Sequence, residues 1–158
     1  MTAVIPLPST GRTFMPTSLL HWLLVAAGLG QLALVVASLA IPRVLGWREE
    51  TARLRPLTRQ VFWTYALYIW CTNLCFGLVS AFGADWLTDR SSLAAAVTGF
   101  MAAYWGGRLV IQFGYFDRSD APTGPAVRLA EVALVGLFVY LTMAYGYAAL
   151  FNLRVVGP

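Results

Sequence analysis

Tyr104, Arg108 and Gln112 stand four residues apart in an otherwise apolar run, so on a helix they share one face and place a permanent guanidinium charge inside it. At bilayer depth an unpaired arginine costs at least about 2.5–3.5 kcal/mol, so the charge requires a partner. Glu131 is the acid available in a neighbouring apolar segment. Counting about 1.5 Å per residue from the inner end of each expected helix puts Arg108 roughly 12 Å deep, Gln31 roughly 15 Å, and Gln112 and Glu131 roughly 6 Å. The expectation is an Arg108–Glu131 pair across the third and fourth segments, with Gln31 and Gln112 taking the remaining donors and Tyr104 on the same face. Such a cluster serves either as a pin that sets helix register or as a site for an anionic or polar ligand, such as a lipid headgroup, a quinone carbonyl or a carboxylate.

Other chemistry finds little support. Cys71 and Cys75 lie four apart, but two thiols without a nearby histidine fall short of a metal site and read as small packing residues. His21 is the sole histidine, which excludes a bis-histidine haem within one chain. Ser80, Ser91 and Ser92 have no adjacent base to activate them. Asn73 is placed to hydrogen-bond across a helix interface, and with Cys71 and Thr72 to line a cavity. There is no phosphate-binding loop, no paired catalytic carboxylates and no metal-ligand set, so no catalytic residue, cofactor or metal is assigned.

The elements that position these residues follow from composition. The chain has 158 residues, 59% hydrophobic and 11% charged, with a mean hydropathy of +0.68, which is too apolar for an ordinary soluble domain. All eleven basic residues are arginine, a bias of GC-rich bacterial genomes, and the net charge of +4 fits loops facing anionic lipid and gives no reason to invoke nucleic acid.

Four apolar segments are expected as helices, at about 19–41, 58–83, 93–116 and 127–151. They make a single membrane domain, an all-α four-helix transmembrane bundle running up-down-up-down. Pro16 and Pro42 bracket the first helix, and Pro56 precedes the second. Ser38-Leu39-Ala40 resembles a signal-peptidase site, but the run is longer than a usual signal core, so an uncleaved helix is expected. Between the first two helices Arg43, Arg48, Arg53, Arg55 and Arg59 outnumber Glu49 and Glu50, which places this connection inside by the positive-inside rule. The Asp85–Ser92 turn then lies outside, and both termini lie outside, in a bacterial inner membrane. Trp63 and Tyr65 suit an interfacial belt; Tyr68 and Trp70 lie deeper and need partners for their polar atoms. Small residues at four-residue spacing, among them Ala26/Gly30, Ala33/Ala37, Gly77/Ala81, Ala102/Gly106 and Ala103/Gly107, mark where backbones can approach within the bundle or between protomers.

The basic lead into Arg59-Gln60-Val61-Phe62-Trp63-Thr64-Tyr65, the short outer turn, and a third helix closing in Gln112-Phe113-Gly114-Tyr115-Phe116 before Ala121-Pro122-Thr123-Gly124 resemble, in layout, the small four-helix scaffold family of ergosterol biosynthesis. That family tethers sterol enzymes and carries no activity of its own. Its Arg-Thr-Phe-Gly entry is one residue longer here and lacks the glycine, and Gln112 or its neighbours stand where its late acidic residue is expected. The resemblance implies a non-catalytic scaffold or accessory subunit for larger membrane enzymes, whose partners are membrane lipids and either those enzymes or further copies of the chain. The alternative from the residues themselves is a binder or carrier of a lipid-like or quinone-like ligand at Arg108.

Overall fold

Proline 42 has no N–H to give the carbonyl of Ser38, and its ring crowds that carbonyl, so the first helix stops four residues before the proline. In the computed structural model, which describes residues 17–115 and 124–153 apart from the side chain of Ala126, α1 spans Thr17–Ser38, three residues short of the expected end. A turn at 39–40 leads into α2, Ile41–Val44, with Pro42 in its first turn. Gly46, in the left-handed region at φ 58°, reverses the chain into α3, Trp47–Ala52. α4, Pro56–Phe82, opens on its own proline, and Arg55 before it is extended (ψ 146°), as a residue preceding proline prefers. α5 is Ser92–Gly114 and α6 is Pro125–Leu153. The arm up to position 16, most of the loop expected after the third helix and the last five residues lie outside the described residues.

Helices α1, α4, α5 and α6 are each long and apolar enough to cross a membrane. The four-helix, up-down-up-down bundle expected from the sequence is what the chain forms. The start of α1, the Gly83–Ser91 loop and the end of α6 share one face, here called the loop face; α2 and α3 lie at the opposite, basic face. The closest packing is of α5 on α6 and of α1 on α4, with a lesser contact between α1 and α6. α4 meets α5 through aromatic rings: Phe76 stands edge-on to Phe100 at 5.9 Å and to Tyr104 at 5.4 Å.

At the α1/α4 crossing a β-carbon on Gly28 would fall 2.3 Å from the Ala81 nitrogen and 2.8 Å from the Gly77 carbonyl oxygen. Only hydrogen fits there. Of the expected small-residue pairs, Gly77/Ala81 is thus used, and it meets Gly28 of α1. The buried core of Leu20, Leu24, Met101, Trp105, Phe138, Leu141 and Tyr145 lies toward the loop face. Between Gly77, Trp105 or Phe138 and the basic face, the described side chains of α4, α5 and α6 are at most half-buried.

Candidate functional site

Arg108 reaches α6: its guanidinium carbon lies 5.9 Å from the centroid of Phe138, whose ring is tilted against that of Trp105 at 5.0 Å. Arg108 and Gln112 are half-buried on the half of α5 nearer the basic face, and Glu131 is half-buried two turns before Phe138 on α6. Tyr104 points toward α4, with its ring edge-on to Phe76 and to Trp105. Three of the five expected residues, Arg108, Gln112 and Glu131, thus lie on the halves of α5 and α6 nearer the basic face, and Tyr104 turns to α4.

Gln31 is placed elsewhere. Expected to satisfy Arg108, it is fully buried, and its Oε1 accepts the hydroxyl proton of Tyr145 at 2.8 Å. Because that proton is committed, the Ser80 hydroxyl at 2.7 Å donates to the Tyr145 oxygen. One chain of hydrogen bonds therefore ties α1, α6 and α4. The reason is azimuth: α1 packs on α4 and α6, while its face toward α5 makes no comparable contact. Ser80, assessed from the sequence only as a nucleophile, and Tyr145 are polar core residues that sequence reading missed; 65 positions separate them, and nothing in either segment announces the meeting.

Two further bonds lie in the interior. Tyr140 donates to the Leu23 carbonyl at 2.7 Å, and Thr98 to that of Ala94 at 2.6 Å. Among the described residues, three buried side-chain atoms have no hydrogen-bond partner: Gln31 Nε2, Asn73 Oδ1 and Trp105 Nε1. The Asn73 amide donates back to Ile69 in its own helix at 3.0 Å, so it makes no bond across an interface.

The loop face is closed by Asn152, another residue without a sequence signal. It is fully buried, accepts from the Arg90 backbone N–H at 3.1 Å and donates to the Leu87 carbonyl at 2.9 Å. These bonds hold Arg90 in the left-handed region at φ 64°, with its guanidinium 5.0 Å from the Phe151 ring. His21 Nδ1 lies 2.8 Å from Asp85 and ties α1 to the same loop. Ser91 caps α5 by accepting from the Ala94 N–H at 3.0 Å. The Ser91 hydroxyl and then its backbone N–H hold the exposed Asp89 carboxyl below the usual carboxylate range.

The two deep aromatics of α4 have different fates. Trp70 donates its indole N–H to the Val35 carbonyl at 3.1 Å. Tyr68 is 65% exposed and, among the described residues, nothing hydrogen-bonds its hydroxyl. It lines a shallow outward groove with Gln60, Val61, Thr64 and Tyr65. At the basic end of the same helix Trp63 and Phe62 pack with Trp47 of α3, with ring centroids 5.1–6.1 Å apart.

These features define a class: a small multi-pass integral membrane protein built as a four-helix bundle. No protein-family model, no curated protein and no solved structure matches the chain. The likeness to the ergosterol-biosynthesis scaffold family accordingly remains one of helix layout.

Proposed function

We propose that this protein is a non-catalytic scaffold or accessory subunit of the membrane, and that it works through the surface α4 turns away from the bundle. The observation that carries this reading is Tyr68. α4 is 27 residues long, about 40 Å, and Tyr68 lies about 18 Å from its start, near mid-membrane. A hydroxyl held there in hydrocarbon without a partner costs on the order of 1–3 kcal/mol, and lipid tails offer no acceptor. A docked protein helix does. The interior bonds support the same reading, because the Gln31 carbonyl oxygen, Ser80, Tyr145, Tyr140 and Asn152 spend their polar atoms holding helices and the loop together.

The basic connection carries five arginines against two acids, so it faces the cytoplasm and the loop face lies outside. The arginine-only basic set favours a bacterial inner membrane. Arg108 and Glu131 act as a pin between α5 and α6.

The test is a photoreactive residue at position 68 of the full chain in its native membrane. Discrete protein adducts are expected, and they persist in Glu131→Gln even though the bundle itself is weakened. Adducts to lipid alone would overturn the docking reading. Native mass spectrometry that retains a lipid or quinone in the wild type and loses it in Arg108→Ala would replace it with a ligand-binding role.

A further inference from the structure

The connection between α1 and α4 is folded against the bundle and forms a platform at the basic face. Thr51 of α3 is buried and its hydroxyl donates to the Trp47 carbonyl at 2.6 Å, while Trp47 lies edge-on to Phe62 and Trp63 in the second turn of α4. α3 is thereby fixed beside the start of α4. That helix is about 40 Å long and the hydrocarbon core needs only about 30 Å, so its first turns stand at headgroup depth. The three rings suit the same depth, where aromatic side chains collect.

Arg43, Arg48, Arg53, Arg55 and Arg59 of this platform are all exposed. Arg53 meets Glu50 at 3.8 Å and Glu49 is exposed too, but the other four arginines have no acid within ion-pair reach among the described residues. Interleaved with them, Ile41, Val44, Leu45, Leu54 and Leu57 are exposed. Through Leu39 the aliphatic groups of α2 continue the apolar wall that Leu29 and Val36 present on the outside of α1.

We propose that this platform binds anionic phospholipids, with its arginines on headgroup phosphates and its aliphatic side chains among the first carbons of the acyl chains. A phospholipid carries phosphate and hydrocarbon in one molecule, which matches a surface where arginine and aliphatic residues are neighbours along the chain. Each guanidinium can give a phosphate two parallel N–H groups. A zwitterionic headgroup brings its own ammonium into this field, so a headgroup of net negative charge is selected. An acidic protein surface would answer the arginines but not the aliphatic groups, which run on into the wall that α1 turns to lipid.

The test is native mass spectrometry of the full chain from mixed micelles that offer phosphatidylglycerol and phosphatidylcholine in equal amounts. The retained lipid is expected to be enriched several-fold in phosphatidylglycerol. That preference should fall several-fold in Arg55→Gln/Arg59→Gln, which leaves three arginines to hold the orientation, and largely survive in Arg55→Lys/Arg59→Lys, which keeps the charge. Arg90→Gln, at the loop face, should leave it unchanged. Retention without preference, or a preference that Arg55→Gln/Arg59→Gln does not touch, would overturn the platform; if that preference is lost in Arg108→Ala instead, the docking reading of α4 falls with it. In native membranes a photoreactive residue in place of Val44 is expected to capture lipid. An acidic polypeptide captured there instead would give the platform to a protein and overturn the proposal.

Discussion

The hydroxyl of Tyr145 donates to Gln31 and accepts from Ser80, so its removal leaves the Gln31 amide with neither of its polar atoms paired in a fully buried setting. Interhelical hydrogen bonds in membranes average well below 1 kcal/mol, but an orphaned buried amide carries its own desolvation cost. Tyr145→Phe is therefore expected to lower stability by about 1–3 kcal/mol in a denaturant titration in mixed micelles. Gln31→Leu added to it should recover part of that loss, since it deletes the orphan. If Tyr145→Phe alone leaves the midpoint unchanged, the hydrogen-bond chain does not hold α1, α4 and α6 together. Trp70 and Tyr68 show what was legible at this scale. Both were expected to need partners; Val35 supplies one for Trp70, and the described residues supply none for Tyr68.

At the scale of elements, the α1/α4 pair depends on backbone contact. A methyl at Gly28 would meet the Ala81 nitrogen and the Gly77 carbonyl, which are fixed parts of a helix and cannot swing aside. Gly28→Ala is expected to push the helices apart at a cost of about 1–3 kcal/mol, read in the same titration. Gly107→Ala, with nothing within 4 Å of the added carbon, serves as the control and should be neutral or slightly stabilising. Equal effects of the two substitutions would show that the crossing is not close-packed. The starts of α4 and α5, expected at about 58 and 93, fall one or two residues earlier, where Pro56 opens α4 and Ser91, not read as a cap from the sequence, caps α5. The end of α1 was misplaced because proline acts on the carbonyl four residues earlier, so an apolar run can outlast its helix.

Across the whole molecule, charge asymmetry sets orientation. Five arginines against two acids between α1 and α4, and two aspartates against one arginine in the 83–91 loop, put opposite signs on the two faces. In a Cys71→Ser/Cys75→Ser background, Arg48→Cys is expected to react with a membrane-impermeant maleimide only after the cells are opened, and Asp89→Cys in intact cells. The reverse pattern would invert the topology and carry Asn152 and the loop it pins to the cytoplasmic side.

Apolarity and helix-breaking residues act within one segment, because a lipid-embedded backbone must close its hydrogen bonds inside its own helix. For that reason four crossings, their order, and the membrane as solvent could be read from the sequence alone. Which side chains meet is a matter of rotation and register between helices far apart in the chain, and no local pattern encodes it. Tertiary structure alone decided that Gln31 turns to Tyr145 and not to Arg108, that Asn152 closes the loop face, and that Tyr68 of α4 is left facing out of the bundle.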